Sequence, residues 1–170
     1  MRFSIIRIVN FASAYMRRKQ NYKRDHEPDA KHKSVAGGRF INYLMHEGKK
    51  LVAEDILFTA FERIKKETQL EPLAVFEKAL ENAAPAVEVG TRRIGGANYQ
   101  VPREVRAERK FMHAARWIIT AARLKKGKPM AEKLAEEIIL ASKNEGSAIK
   151  KKQDVHRMAE ANRAFAHFSW

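Results

Sequence analysis

Apolar residues follow a helical period along most of this chain and change to a period of two once, near its middle. From about residue 35 to 85 and from 108 to 167 they recur three or four positions apart, which is typical of amphipathic helices. From Val87 to Val105 apolar and polar residues alternate around Gly95-Gly96. Alternation on both sides of a two-residue glycine turn indicates a β-hairpin. We therefore predict a mainly α fold with one hairpin.

The helical stretches predict six helices. They run from Val35 to about Gly48, Leu51 to Lys66, Glu71 to Pro85, Glu108 to Lys126, Pro129 to just before Gly146, and Ser147 to about His167. The expected core positions include Phe40, Ile41, Leu44, Ala53, Ile56, Leu57, Ala60, Phe61, Ile64, Leu73, Phe76, Leu80, Met130, Leu134, Ile138, Ala141, Val155, Met158 and Ala159. A chain of 170 residues can enclose one substantial core, so residues 34–170 are expected to form a single domain.

The hairpin, at about residues 86–106, is expected to project from this helical body as an arm. Pro102 cannot donate a ladder hydrogen bond, so its strand must be an edge. A two-stranded ribbon is unstable in water unless it leans on something else. The prediction is a six-helix bundle-like body with a protruding β-ribbon.

Charge is segregated along the chain. The whole chain has 34 Lys and Arg against 20 Asp and Glu, and residues 86–126 alone have ten basic and three acidic residues. Residues 1–33 are also strongly basic, whereas residues 51–85 are net acidic. Such segregation indicates a surface for a polyanion. The lack of cysteine excludes disulfides and thiol catalysis, and the lack of an 18-residue apolar run predicts no contact with membranes.

Residues 1–33 are expected to be a basic, largely extended tail. Residues 1–24 have seven Lys or Arg and no acid, and the candidate contacts in this tail are Arg17, Arg18, Lys19, Lys23 and Arg24. Two interpretations of residues 1–15 stay open: an organelle-targeting leader, or an upstream extension with Met16 as the working start.

The fourth predicted helix has a basic stripe. Arg109, His113, Arg116, Thr120 and Arg123 fall on one side of it, and Glu108 is its only acid. A solvated face usually mixes both signs, because opposite charges four residues apart stabilise a helix. The stripe is therefore expected to face nucleic acid, with an ordinary solvated face as the alternative.

Three further groups of basic residues are candidates for the same contact. Arginines bind phosphate through two parallel hydrogen bonds, and cations in a first helical turn oppose the helix dipole unless an anion is near. The alternative for the hairpin is an edge strand protected by charge. The candidates are Arg92, Arg93, Arg103 and Arg106 in the hairpin, Lys49 and Lys50 before the second helix, and Lys150, Lys151 and Lys152 in the last one.

Nothing in the sequence predicts catalysis, a metal or a cofactor. The six His lack metal-ligand spacing, and the four Asp are scattered. Gly48-Lys49-Lys50 lacks the remaining residues of a phosphate-binding loop.

Four segments form a specific combination: NYLMHEGKKLVAEDILFTA (42–60), VFEKALENAAPAVEVGTRRIGGANYQVPREVR (75–106), ARWIITAAR (115–123) and KKKQDVHRMAEANRAFAHFSW (150–170). Together they resemble the universal small-subunit ribosomal protein S-seven family, and TRRIGGANYQVP with DVHRMAEAN is the most specific part. The resemblance covers residues 16–170, and the end at Trp170 is similar to the bacterial type.

The resemblance implies a structural constituent of the ribosome that binds the 3′ major domain of small-subunit rRNA and nucleates assembly of the 30S head. It further implies that the hairpin tip approaches E-site tRNA and mRNA, that head and platform proteins are neighbours, and that the ribosome is cytoplasmic, with an organellar one as the alternative. Two other classes stay open: a DNA-architectural protein that uses the ribbon as a minor-groove arm, and an RNA-processing enzyme.

Overall fold

The computed structural model describes residues 26–168, and within them six α-helices and one hairpin follow in the predicted order. The elements are α1 (Val35–Leu44), α2 (Lys50–Thr68), α3 (Pro72–Ala83), β1 (Val87–Ile94), β2 (Ala97–Glu104), α4 (Ala107–Leu124), α5 (Met130–Ser142), α6 (Ser147–Ala161) and a 3₁₀ helix (Arg163–Phe168). The mainly α fold with one antiparallel hairpin is confirmed.

The last helix is shorter than predicted. The α-helix ends at Ala161, and the chain then tightens into the 3₁₀ helix rather than continuing to His167. In a 3₁₀ helix, residues three apart lie on one side. This places the rings of Phe165 and Phe168 5.2 and 5.7 Å from the ring of Tyr99. Packing against β2 therefore overrides the helical pattern.

The core forms where α5 packs against α2, α3 and α4. Leu134 and Ile138 of α5 are fully buried, and the ring of Phe76 makes edge contacts with the rings of Phe40 and Phe61 at 5.2 and 5.4 Å. Most expected core positions are buried. Met158 is the clear error, because 48% of it is exposed.

The hairpin has the register that a two-residue turn dictates. Ile94 pairs with Ala97 next to the turn, and Val87 pairs with Glu104 at the base. Gly95 and Gly96 both have positive φ angles, 57° and 89°, which other residues adopt only with strain.

The alternation of apolar and polar residues in β1 does not correspond to an alternation of buried and exposed ones. Glu88 is the buried residue of β1, whereas its neighbours Val87 and Val89 are only half-buried. The Glu88 carboxylate can be buried at this point because Arg103, Arg109 and His113 provide it with hydrogen-bond partners.

Residues 26–33 pack against the helical body instead of extending away from it. The buried carboxylate of Asp29 accepts hydrogen bonds from the backbone N–H groups of His32 and Ser34 at 2.9 and 2.6 Å. The ring of His32 lies 5.3 Å from that of Phe61. The tail candidates Arg17, Arg18, Lys19, Lys23 and Arg24, like residues 1–15, lie outside the described residues.

None of the helices between residues 26 and 168 is both long and apolar enough to cross a bilayer.

Candidate nucleic-acid interface

Three predicted site residues converge on Glu88. Its Oε1 accepts a hydrogen bond from Nε of Arg103 at 2.7 Å. Its Oε2 accepts from Nε and Nη2 of Arg109 at 3.2 and 2.9 Å, and lies 3.0 Å from Nε2 of His113. Glu88 therefore joins both strands of the hairpin to α4. It also supplies, inside the protein, part of the negative charge that the basic stripe was expected to obtain from a ligand.

The electrostatics of Glu88 are set by two opposing effects. Burial raises the pKa of its carboxyl, whereas the hydrogen bonds from His113 and Arg109 and the charges of Arg103 and Arg109 lower it. Together these hydrogen bonds and charges outweigh the effect of burial, so the pKa of Glu88 lies below 4.5, the ordinary value for glutamate. Glu88 is therefore ionised throughout the neutral range.

Glu88→Gln is expected to lower the free energy of unfolding at neutral pH by about 1–2 kcal/mol, since charge-assisted hydrogen bonds become neutral ones and the arginines stay half-solvated. A lowered folded-state pKa stabilises the fold above the unfolded pKa, and this stabilisation is lost as the pH falls through the folded value. Denaturant titrations should therefore show parent and variant converging below about pH 4.5. A stability difference that persists unchanged at pH 3 would contradict this account.

One more contact fixes the base of the hairpin. The backbone N–H of Ala86 donates to Nε2 of His156 on α6 at 3.2 Å. Burial, and then the charge of Lys152, lower the pKa of His156, which favours the neutral ring that this bond requires. With the rings of the 3₁₀ helix on Tyr99, these contacts hold the arm against α4 and α6.

The remaining arginines of the basic stripe on α4 differ in their surroundings: Arg116 is exposed, whereas Arg123 forms a hydrogen bond within the protein. The Arg116 guanidinium is exposed and lies 5.9 Å from the Tyr43 ring centroid, while Nη2 of Arg123 donates to the Leu44 carbonyl at the end of α1 at 3.1 Å. On the neighbouring α1, the Arg39 guanidinium lies 4.2 Å from the Phe111 ring centroid. The sequence pattern does not reveal Arg39 and Tyr43 as members of this surface, because single residues on another helix give no stripe.

The lysines at the helix starts are partly explained by contacts within the protein. Nζ of Lys152 donates to the Asn82 carbonyl at the end of α3 at 2.7 Å. Lys150 and Lys151 are exposed. The anion expected near α6 is also supplied internally, because Oε1 of the buried Glu137 accepts from the Ala148 N–H in the first turn at 3.0 Å.

Lys49 and Lys50 form surface ion pairs. Nζ of Lys49 lies 2.9 Å from Glu47, and Nζ of Lys50 lies 3.8 Å from Glu54. Exposed pairs of this kind are worth little, so a phosphate can replace the carboxylate partner at small cost.

The outer hairpin presents its basic side chains to solvent. Arg92 and Arg93 lie in the exposed part of β1, and Arg106 is exposed at the start of α4. Cations therefore cover the arm from its tip to its base. Within residues 26–168, no three His, Cys, Asp or Glu side chains are grouped to hold a metal ion.

Comparison with known proteins gives one consistent result. The family model described as ribosomal protein S7p/S5e matches residues 16–163. The small ribosomal subunit protein uS7 of Thermotoga maritima is 54% identical over 155 residues, which cover 91% of this chain and all of that protein. The protein of the same name from Methylocella silvestris is 53% identical over 154 residues, 91% of this chain and 99% of the relative.

Proposed function

We propose, since this chain belongs to the ribosomal protein S7p/S5e family and is of its bacterial type, that it binds small-subunit rRNA through the hairpin and α4. Membership makes the chain a structural, non-enzymatic constituent of the small ribosomal subunit, associated with its rRNA. The assignment of the rRNA contact to residues of the hairpin and α4 is the proposal.

The observation that supports this assignment most directly is the basic unit formed by the hairpin and α4. Residues 86–126 have ten basic and three acidic residues, and the most buried of those acids, Glu88, is already bound by cations. Arg92, Arg93, Arg106 and Arg116 remain exposed. An arm with a net positive charge can follow a folded phosphate backbone, and guanidinium groups pair with phosphate oxygens in two-point contacts.

The finer part of the proposal concerns where in the subunit the protein acts. It would bind the 3′ major domain of the 16S rRNA and nucleate assembly of the head, with the hairpin tip near E-site tRNA and mRNA. Head and platform proteins would be its neighbours in a cytoplasmic ribosome. The exposed cations near the hairpin tip support the proposed tRNA and mRNA contacts, because a second nucleic acid has access to them.

Binding to a transcript of the 3′ major domain is expected to be steeply salt-dependent. If six to ten phosphates are neutralised, affinity should fall at least about a thousandfold between roughly 50 and 200 mM salt. Filter-binding titrations at several salt concentrations measure the slope. Arg116→Ala should reduce that slope by about one, and Lys78→Ala, an exposed cation on α3, is the matched control that should leave it unchanged.

Competition separates the proposed function from the DNA-architectural alternative. Folded rRNA should displace the labelled transcript far better than duplex DNA of equal length. Proteins recognise RNA largely by the shape of its helices and junctions, and duplex DNA does not have that shape. A flat salt response would contradict the polyanion surface, and equal competition by duplex DNA would favour the DNA-architectural class.

A further inference from the structure

The base of the hairpin, α4 and α6 enclose a depression of about 280 Å³. Its lining includes the cations Arg103, Arg109 and Lys151 and the carboxylate of Glu88. Its apolar wall is formed by Val89, Trp117, Val155 and Met158. A surface hollow that combines three cations with an apolar wall differs from the open, mainly basic surface of the arm.

The apolar wall includes a side chain whose exposure no contact among residues 26–168 explains. Met158 faces this depression with 48% of its surface exposed, although its spacing predicts a core position. Thioether side chains adapt to flat ring systems and make favourable contacts with them. Trp117 extends the same wall and lies 5.4 Å, ring to ring, from His113.

The arginines that line the depression have more N–H donors than their hydrogen bonds to Glu88 use. Arg103 commits its Nε to Glu88, and Arg109 commits its Nε and one Nη nitrogen. A guanidinium has five N–H donors, so both arginines keep donors for another acceptor. Lys151 is exposed and adds a mobile third cation. With one carboxylate against three cations, the hollow retains positive charge for an incoming anion.

We propose that this depression holds one unpaired nucleotide of the bound RNA, with its base against Met158 and Trp117 and its phosphate held by the cations that line it. The inference rests on the RNA-binding function proposed above. The nucleotide must be unpaired, because bases within an A-form helix are shielded and protein recognition uses bases that are splayed out and stacked. An acidic peptide would engage the cations but would leave the apolar wall uncovered.

The test compares two variants of the full chain on the 3′ major domain transcript. Met158→Ser should weaken binding about fivefold to tenfold, at the low end of the loss for a base-stacking contact, and leave the salt slope unchanged because no charge is removed. Lys151→Ala should reduce the slope by about one. Leu124→Ser is the matched control: Leu124 is 74% exposed at the end of α4, outside the depression, and affinity should not change.

A benzophenone amino acid placed at position 158 provides a second readout that does not depend on affinity. Irradiation of its complex with the transcript should yield a crosslink to one unpaired nucleotide, located by primer extension. Crosslinks confined to paired nucleotides, or parental affinity of Met158→Ser, would overturn the nucleotide site. If the nucleotide site is refuted but the parent protein still binds the transcript with a steep salt dependence, the proposed rRNA binding remains supported. If the parent protein shows no salt-dependent binding, the proposed function itself is refuted.

Discussion

A chain with a shortened arm is expected to keep its helical body and to lose much of its rRNA affinity. The change replaces residues 93–98 by Asn-Gly and adds Arg92→Ala. It preserves the register, because Arg92 pairs with Tyr99 and a two-residue turn fits between these positions. Ile94 is the only large aliphatic side chain removed, and it is only half-buried, so the core loses little apolar contact.

The loss of affinity follows from the two arginines. Each guanidinium–phosphate contact contributes about 1–3 kcal/mol, so the loss of two should weaken binding roughly 30-fold or more. Circular dichroism should show parental helix content, and filter binding measures the affinity. The full-length double variant Arg92→Ala/Arg93→Ala is the matched control, which should bind as weakly if charge rather than length is responsible.

The tip also tests which nucleic acid it contacts. Normal rRNA binding with defective E-site tRNA handling in a translation assay would assign the tip to tRNA. Parental rRNA binding together with parental translation would mean that the arm has no functional role.

The register of the hairpin was predictable from the sequence, and with it the contact between Glu88 and Arg103. Once Gly95-Gly96 is taken as the turn, Glu88 falls directly opposite Arg103, a cross-strand pair of opposite charge. What periodicity could not give is the approach of α4, which brings Arg109 and His113 to the same carboxylate. The basic stripe therefore looked uncompensated in the sequence, because its counter-charge lies on another element.

Much of the helical core was predictable for the same reason that the hairpin was: the apolar period matches the geometry of each element. The exceptions are residues whose surroundings come from distant parts of the chain. Met158 has the spacing of a core residue but faces a surface hollow. Glu137 has the charge of a surface residue but is fully buried. Helical spacing specifies which side of a helix a residue occupies and contains no information about what packs there.

Glu137 illustrates how such a residue is stabilised. Its Oε1 accepts from the Ala148 N–H at 3.0 Å, and its Oε2 lies 3.0 Å from Nζ of Lys125. The first residue before α6 is Gly146, which has no side chain to cap the helix. A Cβ at this position would lie 2.8 Å from Oε1, and the φ angle of 97° also requires glycine. Glu137 of α5 therefore performs the capping that α6 cannot perform for itself.

Glu137→Ala is expected to lower the free energy of unfolding by about 3 kcal/mol, a loss similar to that of truncating a core side chain. The change leaves the buried Ala148 N–H without its acceptor, removes a negative charge from the positive end of the α6 dipole and opens a cavity between α5 and α6. For a chain of this length, such a loss lowers the melting temperature by about 6–12 °C. Thermal unfolding followed by circular dichroism measures it.

Two companion variants separate the causes of this loss. Glu137→Gln keeps an oxygen acceptor for Ala148 and the side-chain volume, so it should cost only about 1 kcal/mol, because Lys125 remains 28% exposed and can be hydrated. Lys125→Met removes the cation and leaves the carboxylate buried without its counter-charge, which should cost about as much as Glu137→Ala. If the glutamine variant were as unstable as the alanine variant, the charge itself, rather than the capping hydrogen bond, would hold α6 in place. Since α6 carries His156 at the hairpin base and Lys151 in the depression, its displacement should also weaken rRNA binding.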